Sequence, residues 1–595
     1  MRWQLAAVPI GVLLVASADD GRDRRARPPS PAERAQAAAL TSELDLALAE
    51  SWDRRGVAPS PELDDLAFAR RLWLDLLGTV PSLEELRAIE AAPGTPAERR
   101  AALIERALRD PRFPRTFAEQ LARVVVGGPD AKRDDLLYRR RRLVDWLAAQ
   151  LARRRPWDAL VRELITAEGL STGTPATNFT VAHDRDPVKL AGRTARAFLG
   201  VRIDCAQCHD HPFADWRQAD FEGLAAFFAR VTPEDAFVRE GPRGELELDD
   251  FAYRGDVTDR DATPAGMAPA GSPSPGMAAP GMAAPGMPAA GMAAAGKVGA
   301  HPGPPPGKRW VAPAVPYAPE LLPPGAPGLG EERGALRRRA ALARWVTHPD
   351  NPWFAPAVAN RLWGWLFGRA LVEPPDELDT GVAANPRALE ALARDLRRHG
   401  FDLERLVRAI VSTRAYRAAS AVAPGQDEAA AVAAFAAYPV KPLRAEPLAH
   451  GLLQATSFWT YDARRFAFVR LIRAGQRADF LQRRNDRGDP ERPEPATLLD
   501  RLALLNGAVV LERTKPDDPF GVAARLPGLA PTDAAAVEAA FLMVLARRPD
   551  PDEAAPYVER LAAARADARP GEARAAVMSD LLWALLNTTE YATNH

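Results

Sequence analysis

Cys205-Ala206-Gln207-Cys208-His209 holds the only two cysteines of a 595-residue chain and has the Cys-x-x-Cys-His spacing by which c-type haem is attached to protein. Two thiols so spaced can each add to a haem vinyl group while the adjacent imidazole reaches the iron. On this reading Cys205 and Cys208 are the thioether donors, His209 is the proximal iron ligand, and the cofactor is one covalent haem c. Zinc is a competing reading, because Cys205, Cys208, His209 and His211 put four N/S donors into a short stretch. Structural zinc sites usually draw their ligand pairs from separated elements, which tells against it. A disulfide or a thioredoxin-like redox pair is the third reading, although a bridge across two residues closes too short a loop to stabilise much and no βαβ pattern surrounds it. The sixth iron ligand is open: His211 stays near the face of His209, and the more distant candidates are His183, His348, His450, His595 and the methionines Met267, Met277, Met282, Met287 and Met292.

Helices must position this motif. Asp186-Pro187 reads as a cap with proline at the first helical position, and the stripe Leu190, Thr194, Ala197-Phe198 runs to a stop at Gly200. After the cysteines, His211 to Trp216 reads as a turn and Asp220 to Arg230 as a helix bearing Phe221, Leu224 and Phe227-Phe228. These aromatics suit either a porphyrin wall or an ordinary core. Upstream, Leu66 to Leu77 forms a helical stripe ending at Gly78, Ser82 and Glu85 have capping-box spacing, and helical patterns continue over 97–108, 117–126, 143–151 and 160–167. The arginine runs 139–142 and 337–339 read as solvated helix faces.

Composition bounds the class. Lys+Arg and Asp+Glu are each 78, which argues against a dedicated nucleic-acid surface. Abundant Ala, Arg and Leu with few β-branched runs point to a mainly α-helical protein. Residues 1–18 read as a signal peptide: Met1-Arg2, an apolar run from Leu5 to Val15, then Ala16-Ser17-Ala18. That run is shorter than the ~20 residues a bilayer requires, and no later stretch qualifies as a transmembrane helix. Export places the cysteines where haem attachment occurs and disfavours a reduced cytosolic role. Residues 241–325 read as a linker, disordered over 262–308 where Pro, Gly, Ala and Met exclude any core. Two helical domains are expected to flank it, at 19–240 and 326–595.

The second half has its own candidates. Asn351-Pro352-Trp353-Phe354 starts a helix bearing Val358, Leu362 and Trp365-Leu366, with Asn360 and Arg361 placed to bond backbone carbonyls. Glu373, Asp376, Glu377 and Asp379 form an acidic cluster that reads first as a solvated loop, with carboxylate catalysis or Ca²⁺ binding as alternatives. Arg444 and Glu446 read as a structural ion pair before a helix over 448–456.

Longer runs carry a family resemblance. Phe198-Leu199-Gly200-Val201 leading into Cys205 to Phe213, then Trp216 and 220–228, resembles the planctomycete secreted cytochrome-type (PSCyt-like) domain, as do Arg70 to Pro81, Glu163 to Gly169 and Asn178-Phe179. Ala343-Arg344-Trp345, His348 to Ala355, Asn360 to Trp363, Leu366 to Arg369, Glu373 to Glu377, Arg408 to Tyr416, and Trp583-Ala584-Leu585-Leu586-Asn587 with Asn594-His595 resemble its usual companion, a planctomycete domain (PSD-like) of unknown function. The resemblance implies an exported haem-associated protein of the periplasm, cell envelope or cell surface. Larger members are similar but carry a further Cys-x-x-Cys-His module, absent here, so one haem is expected. The expected function is electron transfer with a redox or envelope protein partner rather than stand-alone enzymatic activity. A non-haem envelope scaffold with the Cys/His motif as a metal or disulfide staple is the alternative, and a carbohydrate-active hydrolase using the acidic cluster is the third.

Overall fold

Helix signals written into the sequence set the architecture. The computed structural model describes residues 29–127, 140–231, 237–238, 246–249, 308–326, 337–458, 460, 502, 504–519 and 521–595. The expected signal peptide and nearly all of the expected disordered stretch lie outside the described residues. Helices α1 (Pro31–Arg55), α2 (Asp65–Leu72), α3 (Leu83–Glu90), α4 (Pro96–Leu108), α5 (Arg112–Val126), α6 (Arg140–Ala152), α7 (Trp157–Thr166), α8 (Asn178–Ala182), α9 (Pro187–Thr194) and α10 (Gln218–Ala226) form the first half. The second contains α11 (Arg338–Val346), α12 (Phe354–Phe367), α13 (Pro386–Arg398), α14 (Leu403–Val411), α15 (Arg414–Arg417), α16 (Glu428–Ala433) and α17 (Ala445–Ala455). It continues with α18 (Ala508–Thr514), α19 (Val522–Leu529), α20 (Asp533–Leu545), α21 (Pro551–Ala563), α22 (Pro570–Leu586) and α23 (Thr589–Ala592). The protein is therefore mainly α-helical. Among the described residues no helix is long and apolar enough to cross a membrane.

The caps read from the sequence form. Ser82 and Glu85 close a reciprocal capping box on α3, and Asp186 accepts from the Val188 and Lys189 amides with Pro187 at the start of α9. Two helices end unusually: α2 and α9 each run into one π-helical turn, Trp73–Leu77 and Ala195–Leu199, closed by Gly78 and Gly200 in the left-handed region. A π-turn inserts an extra residue into the helix and rotates the side chains that follow it.

Strands are few and pair locally: β1 (Gly169–Leu170) with β2 (Phe237–Val238), β3 (Leu246–Asp249) with β4 (Lys308–Val311), and β5 (Lys441–Pro442) with β6 (Thr593–Asn594), all antiparallel. The β3–β4 ribbon places both flanks of the expected linker side by side, so the ordered chain extends into the 241–325 span from each end. Beyond β4, Ala314 donates its amide to the Gly223 carbonyl, and Tyr317 packs on Trp216 and Trp345. An aromatic anchor amid prolines looks like linker composition but buries enough apolar surface to hold the chain.

The two halves share their interiors. One core joins Leu44, Leu48 and Trp52 of α1, Phe179 and Phe198 of the first half, and Trp345, Leu362 and Leu406 of the second. A second core is built from α17 to α23, with Leu74 and Val80 contributed by the first half. The turn Trp73–Leu77 straddles the seam, sending Trp73, Leu76 and Leu77 into one core and Leu74 into the other.

Buried arginines stitch these layers. Arg70 donates to the Val544, Glu590, Tyr591 and Thr593 carbonyls, and Arg71 to those of Tyr416, Ala418 and His595. The expectation that residues 337–339 form a solvated face holds for Arg337, which is exposed, and is corrected for Arg338 and Arg339, which are fully buried. Arg339 donates to the Ile165 and Ala167 carbonyls, orphaned where α7 ends, and pairs with Glu168. Arg140 is likewise buried and bound to Glu119, while Arg141 stays exposed as expected.

Candidate functional site

The Cys-x-x-Cys-His motif begins on a 3₁₀ turn, Asp204–Gln207, that follows the π-turn of α9; Cys205 is on that turn, Cys208 caps it and His209 follows. Its inner side is apolar: Val201, Ile203 and Ala206 are buried and pin the turn to the larger core. Its outer side carries the chemistry. Cys205 and Cys208 are both free thiols and both exposed, and His209 is exposed beside them.

Hydrogen bonding distinguishes the two histidines. His209 Nδ1 lies 2.7 Å from the Asp210 carbonyl oxygen, which can only accept. Nδ1 therefore carries the hydrogen, and in the neutral ring Nε2 is left as the ligating lone pair. His211 is the reverse, because its Nδ1 accepts from the Phe213 amide at 3.2 Å, which puts the hydrogen of the neutral ring on Nε2. The four donors expected for zinc thus contain one imidazole whose ligating nitrogen is already occupied. Among the described residues, no group of three or more His, Cys, Asp or Glu side chains is gathered to hold a metal ion.

Of the flanking aromatics, Phe221, Phe227 and Phe228 are core residues, at most 2% exposed. Phe213 is the exception at 86% exposed, beside the motif. Trp216 packs on Tyr317 and donates from its indole nitrogen to Asp379 at 2.6 Å.

That last bond belongs to a clamp supplied by the second half. Asp376 is completely buried and accepts from Arg196 Nε at 2.5 Å and from Arg202 Nε and Nη2 at 2.7 and 2.9 Å. Burial alone would push its carboxyl up, but the Arg202 hydrogen bonds and the charges of Arg196, Arg202 and Arg361 hold it below 3.8. Arg202 also pairs with Glu377, and the Leu378 amide donates to the Gly200 carbonyl at 2.9 Å. Gly200 is required here: its φ is +69°, and a Cβ would lie 2.7 Å from Leu378 and 3.1 Å from Ala357. Residues 376–379 therefore grip the motif on both sides, through Arg196, Gly200 and Arg202 before it and Trp216 after it. The solvated-loop expectation for Asp376 is corrected, and a carboxylate saturated by two guanidinium groups is not placed to transfer protons.

The remaining candidates are dispersed. His183, at the end of α8, is buried with Nδ1 on the Phe179 carbonyl, and His348 is half-exposed near Asp350. His450 is on α17, and His595 lies against Arg71 at the seam of the two cores. The methionines Met267 to Met292 lie outside the described residues. Asn360 bonds both the amide and the carbonyl of Val372, and Arg361 donates to the Ala357 and Arg196 carbonyls, as expected. Glu446 is paired with Arg123 of α5.

Two family models match the chain. Residues 43–233 match PSCyt2, a protein of unknown function (DUF1549), and residues 338–463 match PSD1, a protein of unknown function (DUF1553). No curated protein and no solved structure matches.

Proposed function

The chain belongs to the proteins that carry a PSCyt2 segment followed by a PSD1 segment, and from that premise we propose that it is an exported c-type haem protein that transfers electrons at the cell envelope. The observation that carries this reading is the donor set: two free, exposed thiols, one on a 3₁₀ turn and one capping it, next to an imidazole whose Nδ1–H is fixed on a backbone carbonyl. Cys205 and Cys208 would tether haem, which supplies a reversible one-electron couple, and His209 would hold its iron through Nε2. The Asp210 carbonyl orients the His209 ring and favours the ligating tautomer. Ile203 and Ala206 fix the turn from inside, and residues 376–379 fix its two ends. With Phe221, Phe227 and Phe228 committed to the core, the motif presents its donors outward, towards a protein redox partner.

The test is a pyridine haemochrome spectrum and haem staining of a denaturing gel, using chain exported from a host able to mature c-type cytochromes. Covalent haem is expected, lost or weakened in Cys208→Ala. A folded, exported chain without haem would overturn the reading. Metal analysis for zinc would then decide whether the motif is a metal staple in an envelope scaffold.

A further inference from the structure

The seam between the two cores opens into a cleft of about 110 Å³. The turn Trp73–Leu77 and α5 line it from the first half, and the end of α12, residues 370–375 and residues 441–447 from the second. None of residues 204–216 lines it, so its ligand chemistry is independent of the haem motif.

The charged groups of the cleft are spent within the protein. Asp75, on the π-turn, accepts from Tyr416, Tyr438, Asn594 and Lys441. Lys441 Nζ commits its three hydrogens to Asp75 and to the Trp365 and Leu366 carbonyls at the C-terminus of α12. Arg361 donates to the Ala357 and Arg196 carbonyls and faces Asp376, and Glu373 accepts from the Ala370 amide. Arg444 is engaged as well. An ionic ligand would bring its charge into a partly desolvated cleft with no counter-charge left to meet it.

Uncharged polar groups remain. The Trp365 indole and the Gln120 carboxamide line the cleft, both half-buried, and neither makes a side-chain hydrogen bond to a described residue. Phe117 meets the Trp365 ring edge-on, with centroids 6.2 Å apart, and Gln120 lies one turn further along the same face of α5. The Thr116 hydroxyl, by contrast, donates to the Arg112 carbonyl. Leu74 of the π-turn, Pro442 and Leu443 supply apolar wall. A few unspent polar groups beside an aromatic pair, in an otherwise apolar cleft, have the character of a small-molecule site. The volume is of the order of the ~150 Å³ cavity that binds benzene, so a single six-membered ring is the limit. We infer that this cleft binds a small uncharged aromatic carbonyl compound, its ring against Phe117 and Trp365 and its carbonyl oxygen accepting from the Trp365 and Gln120 side-chain N–H groups.

Ligand-detected NMR titration of the full chain with benzamide tests this. Benzoate, which keeps the shape but is charged, and cyclohexanecarboxamide, which keeps the amide without the flat ring, are the comparisons. One saturable benzamide site is expected, with both analogues at least about tenfold weaker. Trp365→Phe and Gln120→Met keep the bulk and remove the donors, and each should weaken benzamide about three- to tenfold. Thermal melting checks that both variants remain folded, and the two analogues test the unmodified chain without any substitution. No saturable benzamide binding, an analogue that binds as tightly, or affinity unchanged in either folded variant would overturn the inference.

Discussion

Asp376→Asn probes how the second half holds the motif. The substitution keeps the shape but removes the charge facing Arg196 and Arg202, and turns one acceptor into a donor aimed at guanidinium groups. Removing one partner of a fully buried ion pair costs about 3–5 kcal/mol. The Arg196 and Arg202 side chains keep 21% and 31% of their exposure, and Arg202 keeps Glu377. The expected loss is therefore smaller, about 2–3 kcal/mol after solvent screening. If that energy holds the motif loop locally, amides bonded across the clamp should exchange with solvent roughly 30- to 140-fold faster. The Leu378 amide, bonded to Gly200, and the His211 amide, bonded to Trp216, are the reporters. Amides in α20 should keep their protection, because that helix belongs to the other core. Hydrogen exchange read by mass spectrometry or NMR measures both at once. Unchanged exchange at 200–216 and 376–381 in a folded variant would refute the clamp. The pH dependence has a fixed sign. A carboxyl depressed in the folded state contributes stability that is present above its unfolded value near 3.8 and lost as pH falls through its lower folded value. The gap between wild type and Asp376→Asn should be constant from about pH 5 to 8 and should shrink only below about pH 4.

Further outcomes follow from other contacts. Gly200→Ala should cost about 2–4 kcal/mol in urea unfolding, combining left-handed strain with overpacking against Leu378 and Ala357; a loss under about 0.5 kcal/mol would contradict the close approach. Arg339→Leu should lower stability by about 2–4 kcal/mol by leaving the Ile165 and Ala167 carbonyls without their donor, read as a lower denaturant midpoint at unchanged slope. Trp216→Phe keeps the packing on Tyr317 but loses the Asp379 bond, so about 1 kcal/mol and faster exchange at the His211 amide are expected. His595 is lowered from 6.5 to about 4 by burial and then by the charges of Arg70 and Arg71. Its unfolded form takes up a proton first, so wild type should lose stability as pH falls from 6.5 towards 4, and His595→Gln should flatten that slope.

What the sequence disclosed was local. The Ser82–Glu85 box, the Asp186-Pro187 cap and the stops at Gly78 and Gly200 depend on neighbours a few residues away, and each forms where its spacing predicts. The π-turns before those glycines did not show, because an apolar stripe reads the same whether the last turn holds one residue more or less. Arginine runs misled for a related reason. Composition presents Arg338-Arg339 as charge to be solvated, yet a guanidinium carries several donors, and carbonyls orphaned at distant helix ends can satisfy them in the interior.

The acidic cluster shows where such reading stops. Four carboxylates around the Pro374-Pro375 pair look alike in sequence, but the fold gives them separate tasks: Asp376 inside two arginines, Glu377 on Arg202, Asp379 on the Trp216 indole, and Glu373 on a backbone amide. Their partners lie about 160 to 180 positions earlier in the chain for the first three, so no window of local periodicity contains both ends. The same separation bears on why the two segments share one polypeptide. A motif built on one 3₁₀ turn and the two residues after it has too few bonds of its own to fix two thiols and an imidazole, since a turn that short satisfies little of its backbone. Rigidity has to be imported, and here it comes from residues 376–379 across a shared core. A PSCyt2 segment expressed alone would retain Arg196, Arg202 and Trp216 but lose every one of these acceptors, leaving guanidinium groups and an indole that the intact chain places against carboxylates without their partners. The companion segment is thus part of the motif's scaffold, and truncation at the linker should loosen residues 200–216 even where the remaining helices persist.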